Sequence, residues 1–412
     1  MQQNGTIRPY RARGDKKAAQ RIWLECGWLE DEKRLLDAFD VLLSGQQTLV
    51  CEIGGAAECL VNSMHGSWYH SGTPLSLAAI TAVTTSRVAR NSGAASRTLA
   101  QMLADRGAAG DALSGLSVFE QGFYERLGYG AIGYEHTIHF DPAWLAKLGT
   151  VRTPVRLSRQ DADRIHAARL ARRKWHGGVN LDSSTFTKAE LMYEKHSFGL
   201  GYLEGNKITH CVVFSTDSAL HGPYSVNWLV YQDFQQLREL FGLIRGLGDQ
   251  VRQISMREPH RVNVQSLLKR PFQLYGITKG GKYHARNEAE SYSQLRIMDL
   301  PTCIAALKAR AGLRFGLRLH DPVAEYLPED AAWRGAGGEW IVELGETSRA
   351  TAGRETGLPV LEAGVGDFTR WWAGSASAES LSTFGSLRGP VDLIVAMDRA
   401  IDVPRPEQDW DY

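Results

Sequence analysis

Between Ile80 and Gly130 the chain runs through a strand, a glycine-containing loop, a helix, a second strand and a short aromatic helix. That order limits its fold more than any other feature. The strand ends as Ile80-Thr81-Ala82-Val83-Thr84-Thr85, and the loop reads Arg90-Asn91-Ser92-Gly93-Ala94-Ala95. A polar-apolar helix follows to about Arg106, then an apolar run from Ala112 to Phe119, then Glu120-Gln121-Gly122-Phe123-Tyr124-Glu125-Arg126-Leu127-Gly128-Tyr129. Glycine at 93 lets the backbone come close to a ligand with no Cβ in the way. The orphan N–H groups at the start of the next helix favour an anion, most often a pyrophosphate. The loop lacks the Gly-Lys-Ser/Thr ending of a Walker loop and the three glycines of a dinucleotide fingerprint.

Composition narrows the classes further. With 412 residues, 47 basic and 46 acidic, the chain predicts two or three domains, each able to bury a core. It has no basic excess of the kind that binds nucleic acid. The local run Arg169-Leu170-Ala171-Arg172-Arg173-Lys174 reads as a solvated helix face. Cys26, Cys51, Cys59, Cys211 and Cys303 show no metal spacing and read as reduced thiols, so no metal is expected. The N-terminus has no apolar signal core, and the aliphatic stretches are too short to span a bilayer. The expectation is a cytoplasmic protein with neither membrane nor nucleic acid as partner.

Periodicity and turn residues predict an α/β chain with mixed sheets. Ile7–Tyr10 reads as a strand, and Asp15–Cys26 and Glu32–Leu43 as helices. Gln47–Ile53 and Ala57–His65 read as a hairpin about Gly54-Gly55, and Ser76–Thr84 as the strand feeding the loop. The first domain is expected to close with the strand around His139-Phe140. A second α/β segment repeats this order, with a helix over 161–173, strands at 199–203, 208–214, 225–231 and 252–256, and helices at 234–247 and 262–268. Its turn after Tyr231 reads Gln232-Asp233-Phe234 without glycine, so this copy is expected to lack the phosphate site. A third segment carries strands at 292–297, 314–319 and 340–344 and helices at 301–311, 366–372 and 391–400.

The loop pattern Arg-x-x-Gly-x-Ala resembles the acetyl-CoA pyrophosphate loop of the GNAT N-acetyltransferases. Glu120 to Gly130 is similar to the corresponding segment in their Eis (enhanced intracellular survival) group, and the spacing from Gly93 to Tyr124 agrees with that group. The resemblance is dense over residues 75–130 and thin elsewhere. It implies tandem acetyltransferase-like domains, a catalytic one at 1–145 and a degenerate one at 146–290, followed by a sterol-carrier-like domain at 291–412. It also implies acetyl-CoA as co-substrate, a small primary amine as acceptor and a homohexamer. A second reading keeps the fold but not the chemistry: a non-catalytic protein that binds CoA or a partner.

Acetyl transfer to an amine requires an anchored CoA, a deprotonated amine and a proton for the departing thiolate. The backbone of Val83 and Thr85 suits the pantetheine arm as an added strand would. The amides of Arg90, Asn91, Ser92, Gly93, Ala94 and Ala95, with the Arg90 charge, suit the pyrophosphate. Tyr124 is the expected acid, since a phenol near pKa 10 is protonated at neutral pH. Among internal groups neither Glu120 nor His65 stands out as the base. The resemblance implies the terminal carboxylate, here that of Tyr412, with Asp411 adding negative charge. Trp23, Glu25, Trp28, Glu30 and Trp68 are the acceptor-pocket candidates, and the tryptophans read equally as core. The sequence departs from the family pattern at Asn91, at Thr85, in the missing strand-end proline, and at Phe119.

Overall fold

A computed structural model describes residues 5–117 and 120–412. Chain packing divides into two compact units. One holds residues up to 133, 175–182 and 291–412; the other holds 134–174 and 183–290.

The first unit opens with β1 (Thr6–Pro9), α1 (Ala12–Cys26), α2 (Lys33–Leu43), β2 (Gln47–Ile53), β3 (Ala56–His70) and β4 (Thr73–Thr85). It continues through α3 (Ala94–Ala108), β5 (Leu113–Ser117), α4 (Gln121–Glu125) and β6 (Gly130–Ala131). The β2–β3 hairpin turns at Gly54-Gly55 as expected, and the helices match within a few residues. Strands β3 and β4 run longer than predicted, because Ser71 and Gly72 take left-handed conformations (φ 47° and 95°). Two consecutive such residues make the tight turn that fits strand twist.

The chain then enters the second unit with β7 (Glu135–Phe140), β8 (Val155–Leu157) and α5 (Ala162–Ala171). It returns to the first unit for β9 (Val179–Leu181), which pairs with β3. The rest of the second unit is α6 (Ser184–Tyr193), β10 (Ser197–Glu204), β11 (Lys207–Ser215), β12 (Tyr224–Val230), α7 (Phe234–Gly246), β13 (Ile254–Arg257), α8 (Pro271–Thr278) and β14 (Arg286–Glu290). Its sheet runs β14-β7-β13-β12-β11-β10-β8. Strand β7, read from sequence as the close of the first domain, is hydrogen-bonded here to β13 and β14. The helix expected over 262–268 is a short 3-10 turn at Val264–Leu267, and α8 follows it. The basic run after Ile165 is not a solvated face. Arg169 and Arg172 are buried, and Arg169 lies 3.9 Å over the Trp228 ring and 2.5 Å from the Glu190 carboxylate. An aromatic face and a carboxylate together offset the cost of taking a guanidinium out of water.

The last stretch belongs to the first unit: β15 (Ser293–Ile297), α9 (Leu300–Ala305), β16 (Leu313–His320), β17 (Gly338–Leu344), β18 (Arg349–Ala352), β19 (Val360–Gly364), α10 (Val365–Trp372), α11 (Ala378–Phe384) and α12 (Val391–Ala400). Strand β15, predicted to open the third segment, inserts between β5 and β6 of the first sheet, which runs β1-β2-β3-β4-β5-β15-β6. Residues β16 to β19 form a separate four-stranded sheet. Arg296 of β15 is fully buried, donates to the Leu127 carbonyl and pairs with Asp321 at 2.5 Å, which ties the late segment to the first sheet. The first sheet's core packs Val61, Ala78, Ile80 and Leu116 against Leu99, Met102 and Leu103 of α3.

Candidate functional site

Strands β4 and β5 are parallel, and their ladder runs from Leu77↔Leu113 to Ile80↔Leu116. Beyond Ile80, β4 continues to Thr85 and stays paired with β3, as far as Thr85↔Cys59. On its β5 side this end of β4 has no strand partner among the described residues, so Val83 and Thr85 lie on an open edge. The register with β3 slips between Leu60 and Asn62, and Ala82 there has φ 55°. A left-handed non-glycine residue inside a strand marks a bulge, a device that re-aims backbone groups next to functional sites. The Thr-Ala-Val-Thr-Thr sequence carries no glycine to announce it.

Past Thr85 the chain makes a short 3-10 turn at Arg87–Ala89 and then the loop. Asn91 and Gly93 both have positive φ, 60° and 73°. Gly93 is the N-cap of α3, and no side chain caps that helix. A Cβ at Gly93 would meet nothing within 4 Å. Ser92 fixes the loop by donating to the Ala89 carbonyl at 2.6 Å and accepting from the Ala94 N–H at 3.3 Å. Arg90 is exposed and makes no ion pair among the described residues. An uncapped helix start, open space in front of it and a nearby free guanidinium are the elements of an anion site. The matching position in the second unit is built the opposite way. There β12 and β13 are parallel and α7 follows β12, but Asp233 caps α7 by accepting from the Gln236 N–H at 2.8 Å. A carboxylate already fills that helix end and repels a phosphate.

Tyr124 sits on α4, which Glu120 starts by accepting from the Gly122 and Phe123 N–H groups at 3.1 and 2.6 Å. This cap engages Glu120, the internal base candidate. The Tyr124 side chain is buried in the α3-side core with Leu116 and Tyr129. Burial, and then the Glu120 charge, push its phenol up to about 12, so it keeps its proton at neutral pH. Tyr129 is fully packed. Its hydroxyl donates to Ser114 Oγ at 2.7 Å, and Ser114 donates on to the Ala78 carbonyl at 3.1 Å. Tyr129 is thus engaged in the sheet.

The terminal segment after α12 has no regular structure but is held along its length. The Glu407 N–H donates to the His176 carbonyl at 3.0 Å, and Asp409 accepts from the Val179 N–H at 3.0 Å. Pro406 sits against Gly133 and Gly177, and Trp410 is 2% exposed. The chain ends with the Tyr412 ring buried on β5. Its Oη lies 2.4 Å from where a Cβ on Gly115 would stand. Gly115 points to the sheet face opposite Ser114 and Leu116. The Tyr412 ring therefore lies on the face of β5 opposite the core that holds Tyr124. Burial, with the Tyr129 and Asp411 charges adding, holds the Tyr412 phenol well above its usual range, and its oxygen has no hydrogen-bond partner among the described residues. Asp411 is exposed.

The other candidates divide. Glu25 accepts from the Arg87 N–H at 2.7 Å, which places it beside the start of the loop. Glu30 is exposed, and Trp28 is half-buried with its ring 5.7 Å from Trp23 in a T-shaped pair. Trp23 is core, 4.4 Å from the Phe39 ring. Trp68 is fully buried among His176 and Trp372, at 5.0 and 5.6 Å, and presents no face to a ligand. His65 pairs with Asp182 at 2.6 Å and lies on β3 opposite Ala78, back from the open end of β4. Phe119 lies outside the described residues. Sequence reasoning missed Gly115, whose absent side chain is what admits Tyr412, and the Ala82 bulge. Among the described residues no group of three or more histidine, cysteine or acidic side chains could hold a metal, and no helix is long and apolar enough to cross a membrane.

Known structures share this architecture over the whole chain. A conserved protein of unknown function from Enterococcus faecalis V583 superposes with TM-score 0.79 at 19% identity, covering 99% of each chain. A GCN5-related N-acetyltransferase from Kribbella flavida gives 0.73 at 19% identity, covering 99% of each. Eis1 from Mycobacterium abscessus gives 0.74 at 17% identity, covering 99% of this chain and all of that one (100%). At these identities the likeness is one of fold. No curated protein matches the chain significantly. Residues 6–132, which include the loop, the open edge of β4 and Tyr124, match the acetyltransferase (GNAT) domain family.

Proposed function

We propose that the protein is an Eis-like, acetyl-CoA-dependent N-acetyltransferase acting on a small primary amine: an aminoglycoside-like compound, a polyamine, a lysine side chain or a biosynthetic amine. The observation that carries this reading is the N-terminus of α3 at Gly93, which no N-cap side chain closes, next to an unpaired β4 edge.

Acetyl-CoA supplies the activated acyl group. The amides of Arg90 to Ala95 and the Arg90 guanidinium would hold the pyrophosphate, and the edge at Val83 and Thr85 would hold the pantetheine amides. The acceptor arrives as an ammonium with a pKa of about 10.4 and must lose a proton. We assign that proton to the terminal carboxylate of Tyr412, with Glu25, Glu30 and Asp411 drawing the cation in. The amine nitrogen then bonds to the acyl carbon as the carbon–sulfur bond breaks, and Tyr124 gives its proton to the sulfur.

A thiol-release assay over a panel of amines tests this reading. Turnover with at least one primary amine supports it. Stoichiometric CoA binding without turnover on any amine would leave a CoA-binding protein that has kept the fold.

A further inference from the structure

The near balance of charge over the whole chain hides one local departure. Between Glu258 and Glu288 there is no acidic residue, yet Arg261, Lys269, Arg270, Lys279, Lys282 and Arg286 all fall there. At the centre of this stretch stands α8, in the second unit. Leu274 pins it to the core at 2% exposure. The Thr278 hydroxyl locks its end by accepting from the Ala285 N–H at 2.8 Å and donating to the Leu274 carbonyl at 2.9 Å. At about 100° per residue Phe272, Gly276, Gln273 and Ile277 span an outer arc of about 140°, with Ile277 at its edge roughly 60° from Leu274. Phe272 and Ile277 are 78% and 68% exposed. Lys269 and Arg270 precede them and Lys279 and Lys282 follow. All four are exposed, and none makes an ion pair among the described residues. Arg270 reaches only Gln273 at 3.5 Å, and the Lys282 ammonium lies 5.4 Å over the Tyr283 ring.

Other exposed apolar side chains lack this setting. Phe384 is 89% exposed but has both Glu379 and Arg388 nearby in sequence, and Val88 belongs to the loop of the candidate site. We propose that the outward face of α8, with its four flanking cations, docks on an anionic lipid surface. Two apolar side chains enter the headgroup region while the cations neutralise lipid charge, the arrangement of an interfacial helix. Each Lys or Arg near such a surface strengthens binding roughly five-fold, so two of them account for a factor of about 25. A second copy of the chain is disfavoured as occupant, because a self-complementary interface sets these cations against themselves. Nucleic acid is disfavoured because Phe272 and Ile277 find no partner on a phosphate backbone. Three of the four cations are also lysines, point charges without the fork that grips a phosphate.

Flotation of the full chain with phosphatidylcholine vesicles, and with vesicles also containing phosphatidylglycerol, tests the proposal. The protein should float with the anionic vesicles only, and high salt should release it. Lys279→Glu/Lys282→Glu should weaken this binding at least about 25-fold, and Phe272→Ser/Ile277→Ser should weaken it measurably. Both variants should unfold at the wild-type temperature, since they change exposed side chains. Equal binding to neutral vesicles, binding to neither kind, or wild-type binding by the variants overturns the proposal. So does tight binding of a DNA duplex that the same variants abolish.

Discussion

The Tyr412 hydroxyl fills the space that a side chain on Gly115 would need. A Cβ at Gly115 would come within 2.4 Å of the phenolic oxygen, and within only 3.4 Å of the Leu295 and Leu77 methyl groups. Gly115→Ala should therefore push the ring and its terminal carboxylate away from β5 while leaving the sheet formed. The expected result is at least a tenfold loss of acetyl transfer, with a stability cost of about 1–3 kcal/mol from overpacking. Tyr412→Phe removes a buried hydroxyl that has no partner. It should keep activity and unfold at the same or a higher temperature. Combining the two should restore part of the activity lost in Gly115→Ala, and two strictly additive losses would dismiss the steric link.

The terminus itself is the next test. Deleting Tyr412 draws the carboxylate back by one residue, about 3.3–3.6 Å along an extended chain, and a C-terminal tag removes it. Both exceed hydrogen-bond reach or one bridging water. Both should cripple turnover while CoA still binds. A tagged enzyme with full activity would return the search for a base to internal groups.

CoA binding should be confined to one site per chain. Gly93→Asp places a carboxylate at the start of α3, where no acidic side chain now sits, as Asp233 does at α7. Aspartate tolerates the left-handed backbone at Gly93 better than most residues, so the fold should persist. Calorimetry should find a single site in the wild type and none in the variant. Gly93→Ala meets open space but is strained at φ 73°, so it should cost about 1–2 kcal/mol of stability and, adding no charge, lose less CoA affinity than Gly93→Asp. Two sites per wild-type chain would contradict the contrast between the two helix ends.

Much of this was legible from residue order. Tyr124 was singled out by the resemblance, whereas the strand, the left-handed Gly93 and the helix start after it announce themselves through residue order. The hairpin at Gly54-Gly55 is legible for the same reason. The insertion of β15 between β5 and β6 was not, since strand partners far apart in sequence leave no local signature. Nor was the role of Gly115, because a glycine inside a strand only shows that something comes close. Trp68 shows the opposite limit. Its composition suits a cation box as well as a core, and only the buried stack with His176 and Trp372 separates them.

Tyr124→Phe should lower kcat by roughly 10²–10⁴-fold with little change in CoA affinity, the range for loss of a positioned acid. Its phenol is raised to about 12, so the acid form persists across the range in which an alkyl amine loses its proton. With an alkyl amine, kcat/KM should rise toward pH 10 without a falling limb below that point. A descending limb near pH 8–9 in the wild type that vanishes in Tyr124→Phe would show the phenol titrating too early for this role.

Acid should loosen the first unit through His70. Burial pushes this imidazole down to about 4, against the opposing hydrogen bond to the Trp372 carbonyl at 3.2 Å. It packs on the Trp372 ring at 4.4 Å and meets His176 edge-on at 5.0 Å. The unfolded chain takes up this proton near pH 6.5 and the folded chain only near 4, so its contribution is fully present above about 6.5. It is lost as the pH falls from there to about 4, and a drop of roughly 2.5 pKa units corresponds to about 3 kcal/mol. Denaturant unfolding at pH 7, 5.5 and 4.5 should show this decline. His70→Gln keeps an N–H able to reach the Trp372 carbonyl but does not titrate, so its decline over the same range should be shallower. Parallel curves for the two proteins would assign the acid sensitivity to other groups.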